Sequence, residues 1–297
     1  MKLSHLFALG ISTFSAQSAL SCASCGSGGL DLINMYPQER IKTVLSLKNS
    51  SGFKTISSQG EEYSKDGDLT GQTDLVLGVG FRTTKRSFLS VVAPLRTNVV
   101  DGDTETKLGD IDINGRYTIL RQNAVFPWVP QVQLLAGYHF DNSDSIINNT
   151  AQESVDSFGT GYEQLRLGFD LWLAQFEWKL GFAYNALVPT ESATSQNGTN
   201  VKKGMGDSFT LTAGYGGLKN KVLVGNTTNF RRADTSGGEE VKVSRTLSNS
   251  QFLTADWAFS DVDMLRFTAT VSGQFFRNYT TSKNYSFSLT WLHSFVF

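Results

Sequence analysis

Two cysteines stand three residues apart in Cys22-Ala23-Ser24-Cys25, followed by Gly26-Ser27-Gly28-Gly29. Paired thiols at that spacing on a glycine-rich stretch can close a small disulfide, exchange thiols, or chelate one soft ion such as Cu(I) or Zn. Two sulfurs do not complete a tetrahedral site, so a metal there needs His139, His293 or another chain as a further ligand. Acylation of Cys22 is an alternative, although Ala19 stands where a lipobox prefers Leu. A second set consists of charges set into alternating hydrophobic runs: Asp74, Arg82, Asp110, Asp112, Arg116, Arg166, Asp170, Glu177, Lys179, Asp256 and Arg266. If each run is a strand, parity points all of these to one face. Opposite charges on neighbouring strands then either lower the barrier to an ion or pair into a network that fills the interior. Histidine is the third candidate, and the chain has 3. His5 falls in the short region before the amino-terminal apolar core, His139 on the charged face, and His293 on the opposite face. No Gly-x-Ser-x-Gly segment accompanies His293, and no phosphate loop, dinucleotide fingerprint or zincin motif appears, so no enzyme activity is expected.

The elements that must carry these residues show best in the last run. Tyr285, Phe287, Leu289, Trp291, Phe295 and Phe297 alternate with Ser286, Ser288, Thr290 and Ser294. This pattern resembles the assembly signal of bacterial outer-membrane barrels, which the barrel-assembly machinery reads. Comparable alternation recurs about twelve times, in strands of about 9–14 residues. The runs fall near 40–48, 72–83, 86–96, 107–120, 128–140, 161–173, 175–187, 206–216, 220–231, 243–259, 262–276 and 283–297. In the fourth, Ile111, Ile113, Tyr117 and Ile119 oppose Asp110, Asp112, Asn114, Arg116 and Thr118. In the seventh, Phe176, Trp178, Leu180 and Phe182 oppose Glu177 and Lys179. Connections alternate between short ones, near Thr84-Lys85, Ala174, Gly217-Leu218 and Ser260-Asp261, and long polar ones. Short turns on one side and long loops on the other are the pattern of a membrane barrel. A water-soluble sandwich, burying the aromatic face, is the competing architecture.

Composition agrees with a chain that is apolar on one face only. Aromatic residues make up 12%, Gly numbers 28 and Pro only 5. Few prolines suit continuous ladders, since proline cannot donate to them. The formal net charge of −1 gives no basic footprint for nucleic acid. Met1–Ser21 reads as a cleaved secretory signal: Lys2 and His5, an apolar core from Leu6 to Phe14, and the small-x-small site Ala19-Leu20-Ser21. Both cysteines precede the first strand, so a disulfide cannot staple the body of the fold. Twelve strands spaced about 4.8 Å and tilted about 40° give a backbone diameter of about 24 Å and a bore of about 10 Å.

The segment Ser90–Leu120 carries a family likeness. Ser90-Val91-Val92-Ala93-Pro94-Leu95-Arg96 leads through a polar loop to Lys107-Leu108-Gly109-Asp110 and on to Arg116-Tyr117. It resembles the outer-membrane proteins named for the meta-pathway of phenol degradation, at Pro94, Leu108, Gly109, Asp110, Arg116 and Tyr117. Lys107 stands where that family often has Gly, and 136–144 lacks its Leu-Pro-Thr-Gly strand end. The likeness covers about a third of the chain. It implies a pore-type barrel for aromatic or other apolar solutes.

These features predict an all-β protein: a signal peptide over 1–21, a periplasmic leader over 22–39, and a closed antiparallel transmembrane barrel over 40–297. The expected location is the bacterial outer membrane, and the expected partners are outer-membrane lipid, the barrel-assembly machinery and a small solute. No cofactor is expected beyond a soft ion at Cys22 and Cys25. Passive diffusion of small solutes is the expected function. The alternatives are a non-conducting structural or surface-binding barrel and, thirdly, an enzyme resembling the outer-membrane phospholipase. The cysteines are expected outside the barrel wall on the periplasmic side.

Overall fold

The computed structural model describes residues 33, 35, 39–56, 61–63, 69–122, 128–145, 155–175, 177–194, 200–217, 220–241, 244–273 and 281–296. The expectations for the signal segment, Cys22, Cys25, Phe176 and Phe297 fall outside these residues.

Twelve antiparallel strands close on themselves. They are β1 Glu39–Ile56, β2 Gly71–Arg82, β3 Ser87–Val100, β4 Ile111–Leu120, β5 Gln131–Phe140 and β6 Gln164–Gln175. There follow β7 Trp178–Pro189, β8 Gly206–Gly216, β9 Asn220–Arg231, β10 Thr246–Ala258, β11 Asp263–Gly273 and β12 Thr281–Val296. Each pairs with its neighbours in sequence. The barrel closes where β1 meets β12, from Glu39 opposite Val296 to Ile56 opposite Thr281. Closure is what a spanning sheet requires, because lipid offers no partner to an open strand edge.

Alternation sets the two faces. On β12, Ser286, Thr290 and Ser294 are buried inside, while Tyr285, Phe287, Leu289, Trp291 and Phe295 are exposed outside. On β4, Ile113, Tyr117 and Ile119 face out and Asn114 and Thr118 are buried. A water-soluble sandwich would reverse this arrangement. Outward aromatic pairs gather near the turn end, with Trp178 against Tyr215 at 5.2 Å and Trp257 against Phe259 at 5.8 Å. Rings with one polar handle suit the boundary between lipid and water.

Two differences from the expected strand bounds change the architecture. β1 runs on to Ile56, eight residues past its expected end at 48, with a register shift between Ser51 and Lys54. The fourth run does not form one strand. β3 continues to Val100 and turns at Asp101-Gly102, both at positive φ. Asp103–Leu108 then pairs back along β3 before β4 begins at Ile111. Asp-Gly is the turn chemistry that a tight hairpin favours. Farther round, Ser192–Thr194, Asn200–Lys202, Asp234–Ser236 and Glu239–Val241 form a separate small sheet from two of the long connections.

Two residues of the segment before β1 lie inside the barrel: Ile33 and Met35 are 1% and 5% exposed and pack against the inner wall. Their neighbours are Val44, Val76, Phe88, Val92 and Leu292, all on the inner face. Gly78 and Gly80 make the seat. A Cβ on Gly80 would lie 2.5 Å from Ile33 Cγ2, and one on Gly78 would lie 3.0 Å from Ile33 Cδ1. Burying an apolar side chain against an apolar inner patch is favourable wherever the patch would otherwise face water.

Candidate functional site: the barrel lumen

A cavity of about 380 Å³ occupies the interior. Lys48, Arg116, Arg166, Asp170 and Arg266 line it, with Trp172, Leu223 and Phe252 between them. The two large rings find space because the residue directly across on the next strand is glycine: Gly181 opposite Trp172 and Gly225 opposite Phe252.

Most of the charged residues singled out from the sequence fall on inward positions of the wall. Asp74 is 2% exposed and accepts from Arg96 Nε at 2.8 Å. Arg116 of β4 donates to Asp170 of β6 and to Gln133 Oε1 at 3.2 Å. Arg166 lies 3.8 Å from Asp112. Arg266 holds Asp256 with both arms, at 2.7 and 2.9 Å, and Lys221 joins the same carboxylate at 3.1 Å. Lys179 reaches the carbonyl of Gly216. Arg82, at the turn end of β2, donates to the carbonyls of Glu39 at 2.8 Å and Met35 at 3.2 Å, tying the leader to the wall. Asp110 sits in the bend between Leu108 and β4. Glu177 departs from expectation: it lies exposed in the turn before β7, where its carbonyl accepts from the Gly216 amide at 2.9 Å. The strand it was assigned to begins one residue later, so parity did not apply to it.

At the loop end, the connection between β5 and β6 folds inward. Phe158 is 0% exposed and Tyr162 2%. Arg96 Nη1 donates to the Phe158 carbonyl at 2.8 Å, and Asn98 Nδ2 to the carbonyls of Val155 at 3.1 Å and Ser157 at 2.9 Å. Arg231 donates to the Tyr162 hydroxyl. His139 Nε2 lies 3.1 Å from Asp110 Oδ2 and 2.9 Å from Thr160 Oγ1, and its Nδ1 lies 3.0 Å from Asp112 Oδ1. Asp110 also accepts from Ser143 Oγ at 2.5 Å and the Thr160 amide at 2.6 Å. The segment around 155–162 is therefore pinned to the inner wall by β3, β5 and β9, and it narrows the loop end of the lumen.

Asp110 makes this pinning sensitive to acid. Burial pushes its carboxyl upward, but hydrogen bonds from His139, Ser143 and the Thr160 amide outweigh burial and hold it below the ordinary carboxylate value. A depressed carboxylate stabilises above the unfolded pKa, about 3.9, and that stability is lost as pH falls through the folded value. Protease sensitivity of the 155–162 segment should therefore rise below about pH 4. Asp110→Asn should give that sensitivity already at neutral pH.

The histidines divide. His139 belongs to the network just described. On the outer face near the termini, His293 Nδ1 lies 2.7 Å from Asp263 Oδ1, and Trp291 Nε1 donates to the same oxygen at 3.0 Å. Thr43 stands opposite His293 in the register, with no hydrogen bond between them among the described residues. An oriented imidazole is thus present without a hydroxyl joined to it. Among the described residues no cluster of three or more His, Cys, Asp or Glu side chains could hold a metal ion.

Several lumen residues were not singled out from the sequence. Lys42, Lys48, Arg96 and Lys221 were all accessible to the parity argument, since each alternates in step with Ser46, Asn98 or Leu223. The inward loop left no periodic signal of its own.

No family model and no curated protein matches the sequence. Solved structures do resemble the fold. An outer membrane channel from Pseudomonas putida F1 has a TM-score of 0.71 at 12% identity, covering 90% of this chain and 99% of that one. The translocator domain of the autotransporter NalP from Neisseria meningitidis has a TM-score of 0.51 at 11% identity, over 90% and 91% of the two chains. The NanC porin has a TM-score of 0.50 at 8% identity, over 85% and 100%. At these identities the likeness is one of architecture: this chain has the closed antiparallel barrel of bacterial outer-membrane proteins.

Proposed function

We propose that this protein is an outer-membrane channel through which small solutes diffuse passively. The observation that carries the reading is a polar, charged cavity inside a wall whose outer face is apolar. Such a wall matches lipid, and such a lumen matches a hydrated solute. The barrel-assembly machinery would insert it, reading the alternating aromatic strand from Tyr285 to Phe295. The family resemblance over Ser90–Leu120 supports the same reading and adds aromatic or apolar solutes to the candidates. Conductance of the purified protein in planar bilayers is the direct test: discrete current steps support the channel, and their absence in the wild type and in Ile33→Asp alike rejects it.

One observation favours a second reading, a barrel that does not conduct. Ile33 and Met35 fill the inner apolar patch near the turn end, and the 155–162 segment narrows the other. The two readings part on Ile33→Asp. Burying an aliphatic side chain of this size is worth about 1.5–3 kcal/mol, so losing it should shift an open–closed equilibrium about 10–100-fold. In a gated channel the variant should conduct more often or at a higher level. In a barrel closed for structural reasons, conductance should stay at zero.

A further inference from the structure

At the turn end, the arc of the ring formed by β1 to β4 carries cations outside the lumen. Arg40 lies beside Arg82, because Ile41 pairs with Phe81. Lys85 and Arg86 belong to the β2–β3 turn, and Arg121 directly follows β4. Arg40, Lys85, Arg86 and Arg121 are all exposed. Arg82 is engaged with the Glu39 and Met35 carbonyls and has Arg40 and Arg121 as charged neighbours. The turn is fixed to the wall. The Thr118 amide donates to the Arg86 carbonyl at 2.7 Å, and Arg121 donates to the Lys85 carbonyl. Within the turn, the Arg86 amide donates to Thr84 Oγ1 at 3.1 Å.

These cations have no acid beside them to neutralise them. Among the described residues, none of Arg40, Lys85, Arg86 and Arg121 has an ion pair. Glu39, next to Arg40 in the chain, is 4% exposed and accepts from Lys42 at 3.0 Å and Ser294 at 2.6 Å on the inner side. The sequence from 123 to 127 holds no charged residue. Two turns across the ring differ: Glu177 precedes β7, and Asp261 and Asp263 stand at the start of β11. Next to the cations the outer face is apolar. Ile41 pairs with Phe81 and Phe81 with Leu89, and all three are exposed, as is Tyr117 of β4. The cations thus border a lipid-facing row across four neighbouring strands, about 15 Å of rim.

We propose that this arc binds an anionic phospholipid, its phosphate on Arg40, Lys85, Arg86 and Arg121 and its acyl chains along Phe81 and Leu89. The short turns of such barrels are periplasmic, so the lipid belongs to the inner leaflet. A soluble acidic partner would use the cations alone, whereas the adjoining apolar row suits a ligand with both parts. Guanidinium forks take a phosphate in two bonds. A zwitterionic headgroup brings an ammonium that the same cations repel. The site goes beyond the channel reading and holds whether or not the lumen conducts.

Native mass spectrometry of the purified protein in a neutral detergent tests this, with phosphatidylglycerol or phosphatidylcholine of identical chains. Phosphatidylglycerol should stay bound where phosphatidylcholine is lost. A basic side chain at an anionic lipid surface contributes about fivefold to binding. Arg40→Gln and Arg86→Gln should each weaken phosphatidylglycerol by about that factor at low ionic strength, and both together with Lys85→Gln by about 100-fold. Lys202→Gln, on an exposed strand at the loop end, should change nothing. Heat-modifiable gel migration of each variant separates lost binding from lost folding. Equal retention of the two lipids by the wild type would overturn the proposal and assign the cations to a soluble acidic partner. A preference that the triple variant keeps, or that Lys202→Gln also removes, would overturn it as well. Conductance enters none of these outcomes, so the channel reading stands or falls separately.

Discussion

Arg96→Ala should destabilise the barrel by about 3–5 kcal/mol, the cost of leaving a buried charge without its partner. Arg96 is 1% exposed and Asp74 2%. The guanidinium also holds the Phe158 carbonyl at 2.8 Å, so its loss removes an anchor of the inward loop as well. Removing both charges, in Arg96→Met with Asp74→Asn, should recover much of the stability, because no uncompensated carboxylate remains. It should not recover the loop anchor. Denaturant unfolding of the protein in lipid would give the first quantity. Limited proteolysis of 155–162 would give the second. A single variant that loses less than about 1 kcal/mol would show that Asp74 finds water instead.

Phe267→Arg should cost about 2–4 kcal/mol, whereas Thr268→Arg, one residue on, should cost far less. Phe267 is the fifth of eleven residues of β11, outward-facing and 44% exposed, with its ring 6.3 Å from that of Phe287. An arginine there meets hydrocarbon near mid-wall. Thr268 faces the cavity, where its hydroxyl lies 3.1 Å from that of Thr254. An arginine at that place meets water and other polar side chains, and acts on selectivity more than on stability. Equal costs for the two substitutions would mean that the outer face of β11 is not in lipid. The comparison needs only folded fractions in lipid against denaturant, measured for both variants and the wild type.

The wall was legible in the sequence because a strand repeats every two residues and lipid accepts only one kind of side chain. Seven of the twelve expected runs start within two residues of the observed strand. Runs of Ile, Phe and Trp alternating with Ser, Thr and charges are enough to orient each strand, and closure follows from the lack of any other partner for the edges. Asp112, Arg116, Asp170 and Arg266 could be placed inward from parity alone. Which charges meet could not be read the same way. Arg116 reaches past β5 to Asp170 on β6, and two cations converge on Asp256; both depend on side-chain reach across the curved inner wall. Glu177 shows the limit of parity at a turn, where a shift of one residue exchanges wall for rim.

Contacts without a period were decided only by the tertiary structure. The residues of the inward loop, Phe158 and Tyr162 among them, have no repeat to betray them, and their hydrogen bonds go to Arg96, Asn98 and Arg231, some 60 to 70 positions away in the chain. Ile33 and Met35 look like any short apolar stretch before a strand. Only when β1, β2, β3 and β12 come together do Val44, Val76, Phe88, Val92 and Leu292 form a single apolar patch, and only then do Gly78 and Gly80 become a seat. Local patterning determined a barrel with a greasy outside and a charged inside. What narrows its two ends depends on which distant residues the closed ring brings face to face.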